Sequence, residues 1–192
     1  MKRKTALVAA ILFLFSYIVM FVMMLLEKRL TAIDYVLVIG MIVIIYVISL
    51  RYDLPSYATV LGMFFTLPHA IGIQGLYAEI IYYDFFAHSL AMALITVFII
   101  EVAYAMTDFR KRVGMFVLIV LAALGLGAIH EIIEYLGYIL LGVGDSLLQL
   151  GTGDFSTNIG VWENTIIDMI FNGAGIIIST TLWFLFRRVK KQ

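Results

Sequence analysis

The 192-residue chain contains no cysteine, which excludes disulfides, thiolate metal sites and a cysteine nucleophile. Charge is scarce too. Asp, Glu, Lys and Arg make up 14% of the residues, against roughly 25% in soluble domains. Their formal sum is zero, so no overall field points to nucleic acid. Neither a Walker A nor a Rossmann glycine pattern is present, which disfavours nucleotide-dependent chemistry. Proline occurs twice. Pro68 falls inside an apolar run, where a membrane helix tolerates it near its end or as a kink.

What is abundant is apolar. Hydrophobic residues form 64% of the chain and the mean hydropathy is +1.07. Runs close to the roughly 20 residues needed to cross a bilayer fall at about 5–26, 33–50, 55–74, 84–106, 113–141 and 165–186. The expectation is an all-α, polytopic bundle of six transmembrane helices in one domain spanning 1–192. "MKRK" precedes the first run. That run exceeds the roughly 7 to 15 residues of a signal-peptide core and lacks a small-residue cleavage site, so it reads as a retained helix.

Basic residues then set the expected orientation. With the N-terminus inside, eleven of the thirteen Lys and Arg fall in cytoplasmic segments, and only Lys28 and Arg29 fall outside. The positive-inside rule therefore places both termini in the cytoplasm of a cell membrane. The connection 142–164 lies outside and exceeds the roughly 12 to 15 residues beyond which structureless loops are uncommon, which suggests a lid, an interfacial piece or a disordered insert.

The spans are not uniformly apolar. In "GAIHEIIEYLG", His130 and Glu134 stand four residues apart on one face, with Glu131 about 60° from Glu134. Asn164, Asp168, Asn172, Gly175 and Ser179 repeat at the helical period in the sixth span. The fourth span opens with Asp84 and His88, again four apart. From the expected helix ends, His88 lies roughly 6 Å below the outer boundary, Asp168 roughly 5, His69 roughly 8, Glu134 and Asn172 roughly 11 and His130 roughly 17. All three histidines thus belong to the outer half of the membrane. A carboxylate at mid-bilayer costs roughly 3 kcal/mol on insertion scales. Asp84, Glu131, Glu134 and Asp168 have no evident cationic partner other than histidine or a bound ion, because the outer half holds only Lys28 and Arg29.

"YDFFAH" (83–88), "EIIE" (131–134), "LGTGD" (150–154) and "WENTIIDM" (162–169) followed by "NGAG" resemble, in this order, the YjdF-like family of bacterial inner-membrane proteins. The likeness covers roughly residues 83–175. Asp84, His88, Glu131, Glu134 and Asp168 match the family pattern, whereas "FSTNIGV" separates Asp154 from Trp162, which the family holds nearly adjacent. The family's Trp-Asp is Trp162-Glu163 here. The resemblance implies a shared site in an inner-membrane protein and names no reaction.

The residue types favour a divalent metal. "HEIIE" differs from the zincin pattern His-Glu-x-x-His in having Glu134 where the second histidine would stand. Imidazole and carboxylate together suit zinc, iron or manganese, and His88, His130, Glu134 and Asp168 make a plausible ligand set. Asp84 and Glu131 are then the catalytic candidates, to orient a ligating histidine or deprotonate a bound water. His69, Asn172, Asp154 and Glu163 are supporting polar groups. Three functions fit this pattern. A metal-dependent hydrolase or transferase would act on a lipid-type substrate in the outer leaflet. A proton- or divalent-cation-coupled transporter would use the same groups as a relay. In a non-catalytic assembly protein they would serve as helix-to-helix hydrogen bonds.

Overall fold

The computed structural model describes residues 2–29, 31–77, 80, 82–107, 112–142 and 160–189. Helix α1 spans Lys2–Leu26 and α2 spans Ala32–Arg51. The third span is divided into α3 (Ser56–Phe64), α4 (Leu67–Ile71) and a π-helical turn (Gly72–Leu76). Three long helices follow: α5 (Tyr83–Met106), α6 (Arg112–Leu141) and α7 (Val161–Val189). No strand occurs among the described residues. Six helical stretches are long and apolar enough to cross a membrane.

Each helix buries a stripe and leaves the rest of its apolar surface outward. In α2 the buried positions Tyr35, Val38, Ile42, Ile45 and Ser49 alternate in steps of three and four, while Ile33, Val36, Val43, Ile44 and Val47 are exposed. Lipid is as apolar as these side chains, so exposing them carries no penalty, and the helices associate through close packing and hydrogen bonds. Gly175 illustrates the packing. A Cβ added there would fall on the backbone carbonyl of Ser89, so the missing side chain lets α7 lie directly against α5.

The third span, expected over 55–74 with Pro68 near its end or as a kink, is broken more extensively than one kink. It breaks at Phe65 and Thr66, restarts with Pro68 at its first turn, and carries Gly75 at φ 125°, a left-handed value that suits glycine. Neighbouring helices tie down the broken backbone. Tyr17 of α1 shares a 2.9 Å hydrogen bond with Thr66, Tyr35 of α2 donates to the Ala70 carbonyl at 3.2 Å, and Tyr83 of α5 donates to the Pro68 carbonyl at 2.8 Å. Such partners are what allow irregular backbone at membrane depth.

The last helix begins earlier than expected. Residues 161–164 already belong to α7, so the connection is shorter than 142–164, and residues 143–159 lie outside the described residues. Measured from the observed ends at 1.5 Å per residue, His88 is about 8 Å from the start of α5, Asp168 about 10 Å from the start of α7 and Glu134 about 10 Å from the end of α6.

Candidate metal centre

Three helix ends and the broken third span meet at one level. α5 contributes Asp84 and His88, α6 contributes His130, Glu131 and Glu134, and α7 contributes Asn164, Asp168 and Asn172. The third span adds His69, which stands in the short α4. The imidazole rings of His69, His88 and His130 form a triangle with centroid separations of 5.5, 5.3 and 5.4 Å.

His88 is the hub. Its Nε2 lies 3.3 Å from Asp84 Oδ1, one helical turn back. Its Nδ1 lies 3.2 Å from Glu131 Oε1 and 3.3 Å from Asn172 Oδ1. Asn172 in turn donates from Nδ2 to the same Glu131 oxygen at 2.8 Å, and that bond fixes which end of its amide faces the histidine. Nδ1 therefore meets only acceptors and carries a proton. In the neutral imidazole this leaves Nε2 with a lone pair directed toward the Asp84 carboxylate. Two electron-rich atoms facing each other in a buried site call for a proton or a cation between or beside them.

Other polar atoms in the cluster lack partners. Asp84 Oδ2, His130 Nε2, Glu134 Oε2 and Asn164 Oδ1 are buried with no hydrogen bond. His130 Nε2 and Glu134 Oε2 approach each other only to 4.0 Å. Two donor trios, His88, His130 and Glu134 on one side and Asp84, His88 and Asp168 on the other, each place one ligand atom per residue within 4.8 Å of the others. That spacing and donor chemistry fit a divalent ion. Glu131, donating no atom to either trio, sits where it holds the Nδ1 proton of His88 and orients the ring, the usual partner of a metal-ligating imidazole.

The centre is closed on most sides. His88, Glu131, Asn164, Asp168 and Asn172 are buried. The side chains of His130 and Glu134 keep 27% and 16% of their exposure, which makes α6 the most open wall of the cluster among the described residues. α5 and α7 face each other tightly behind it.

The sequence-derived residues divide clearly. Asp84, His88, His130, Glu131, Glu134, Asp168, Asn172 and His69 come together. Glu163 does not: it is exposed in the first turn of α7, its carboxylate turned back toward Gly160. Asp154 lies outside the described residues. Two participants had no assigned role. Tyr77 pairs its hydroxyl with His69 Nδ1 at 2.6 Å, a contact created by the π turn and without a helical spacing to announce it. Asn164, visible in the polar stripe of the last span, donates from Nδ2 to Asp168 Oδ2 at 2.7 Å.

No curated protein and no solved structure matches the chain. The sequence does match, over residues 6–190, the family described as "Predicted membrane protein (DUF2238)". The six spans and the cluster between them are thus features of a chain that belongs to this membrane protein family.

Proposed function

We propose that the cluster is a divalent-metal centre in the extracytoplasmic half of a cell-membrane protein with both termini in the cytoplasm, and that it serves a hydrolase or transferase acting on a lipid-type substrate. The observation that carries this reading is that His88, His130 and Glu134 each bring one ligand atom within 4.8 Å of the others, with His130 Nε2 and Glu134 Oε2 buried and lacking a hydrogen-bond partner. The orientation rests on the basic residues, eleven of thirteen of which then lie on the cytoplasmic side.

An ion held by His88, His130 and Glu134 would supply Lewis acidity and lower the pKa of a bound water. The side chains have separable duties around it. Glu131 and Asn172 hold the Nδ1 side of His88, so that its other nitrogen is the ligand. Asp84 Oδ2, buried and unpartnered, receives the proton of the attacking water and returns it to the leaving oxygen. In that exchange the water oxygen bonds to the phosphorus or acyl carbon of the substrate as the ester bond to the leaving oxygen breaks. The partly exposed α6 wall admits a chain-bearing substrate from the side.

A transport relay has less support. Along α5, His88 and Glu101 are 13 residues apart in sequence, about 20 Å along the axis. Between them the buried residues are Ala91, Met92, Ile95, Thr96, Phe98 and Ile100, and the Thr96 hydroxyl is turned onto the Met92 carbonyl. A purely structural network accounts for Glu131 and Asn172 and leaves the unpartnered oxygens unexplained.

Metal analysis of the detergent-purified chain tests the proposal. Stoichiometric zinc, iron or manganese in the wild type, lost in Glu134→Ala, is the expected result. A wild-type protein that retains no ion after loading with any of these metals overturns it.

A further inference from the structure

The centre gathers more carboxyl groups than one ion on the imidazole side would ligate. Asp84, Glu131, Glu134 and Asp168 are gathered within it, and the chain has no Lys or Arg between Arg51 and Arg110 or between Arg112 and Arg187. Arg29 is exposed and paired with Glu27 at 3.0 Å. One divalent ion on His88, His130 and Glu134 would take up one of these four carboxyl groups and leave Asp84 and Asp168 outside its ligand set.

A second set of donors stands on the Asp84 side. Asp84 and Asp168 belong to the same trio. Asn164, 2% exposed, gives its Nδ2 hydrogen to Asp168 Oδ2 and has a buried Oδ1 with no hydrogen-bond partner. Rotating the amide would set its oxygen against the carboxylate, so the hydrogen bond fixes the orientation. A buried amide oxygen left unmatched costs about 1 to 3 kcal/mol unless a donor or cation meets it. Carboxylate and amide oxygens without sulfur or a dedicated imidazole select a hard cation, magnesium, manganese or calcium, over zinc.

We infer that Asp84, Asp168 and Asn164 form a second, oxygen-rich divalent-cation site beside the histidine-rich one, making the centre dinuclear. This rests on the metal-centre reading above. Asp84 contributes Oδ1 to the second ion, which keeps Oδ2 for proton transfer. His88 Nε2 can bind only one ion and belongs to the imidazole side. Two cations side by side also supply the positive charge that a phosphate-bearing headgroup requires and that no Lys or Arg provides here.

The experiment is metal counting on the full-length protein in detergent, saturated with Zn2+, then with Mn2+, and desalted. The expected result is about two ions per chain, one of each kind. Asn164→Leu should lose the manganese and keep the zinc, while Asn164→Asp, which adds a charged oxygen, should bind manganese at least about tenfold more tightly. Should the leucine variant fail to fold, the wild type loaded with Mn2+ alone decides, because two Mn2+ ions in adjacent sites give an exchange-coupled paramagnetic resonance spectrum. A single ion per chain with an isolated six-line manganese signal overturns the second site and leaves the first intact. No bound ion of any kind overturns both.

Discussion

Two buried carboxylates on the same helix teach opposite lessons. Glu101, in the half of the bundle away from the histidines, accepts at one oxygen from the Tyr57 hydroxyl at 2.6 Å and from the Trp183 indole at 3.1 Å. Trp183 is itself packed on Tyr104, ring centroids 5.0 Å apart. Glu101 is 7% exposed, with Tyr57 of α3 and Trp183 of α7 closing over it. Asp84, four residues before His88, has one oxygen 3.3 Å from His88 Nε2 and the other buried with no hydrogen-bond partner. The Glu101 group is a finished hydrogen-bonded joint. The Asp84 group keeps a buried oxygen that no protein donor meets, and the proposed ion would complete its surroundings.

Substitutions can break that contrast. The largest effect is expected at the hub: His88→Ala should weaken metal binding by more than about 100-fold, read by isothermal titration with Zn2+, since both donor trios pass through His88. Glu131→Gln preserves the acceptor for Asn172 Nδ2 yet removes the charge that orients His88. A loss of about 10- to 100-fold in metal affinity with little change in thermal stability is the expected outcome, and unchanged affinity would make Glu131 merely structural.

At the other end the signature reverses. Glu101→Leu should lower unfolding stability by about 1 to 3 kcal/mol, because Tyr57 and Trp183 lose their shared acceptor, and should leave metal content alone. Gly175→Ala should cost a similar amount, about 1 to 3 kcal/mol, by forcing α7 away from Ser89. Unlike Glu101→Leu it should also weaken metal binding, since Asp168 and Asn172 ride on the same helix. The smallest change carries the sharpest sign. Glu134→Leu should raise the stability of the metal-free protein by about 1 kcal/mol, by removing a buried oxygen that has no partner. A fall in metal-free stability for this variant would mean that Glu134 belongs with Glu101 as a structural group.

Particular residues mark what could be read beforehand. The spacing of Asp84 and His88, of His130 and Glu134, and of Asn164, Asp168 and Asn172 follows the helical period, so each set could be assigned to one face without knowing its neighbours. Glu163 carries the same chemistry as Glu134 and lies one residue from Asn164 on the same helix. It nevertheless points away, because a single residue step turns a side chain by about 100°. His69 could be placed near the end of the third span but not beside His88 and His130, since its position depends on the break at Thr66 and the left-handed Gly75. Tyr77 could not be found at all: its contact with His69 exists only because the π turn alters the register between them.

Composition and periodicity determined the six apolar helices and the polar stripes, because a bilayer obliges each segment to satisfy its own backbone and the 3.6-residue turn decides which side chains share a face. Only the tertiary structure decided the partners. Whether Glu131 would meet His88 or Asn172 or both, which carboxylate oxygens would remain unmatched, and that Glu101 would be enclosed all depend on the rotation and depth of one helix against another. Those are set by close contacts such as Gly175 against Ser89, which no single helix contains.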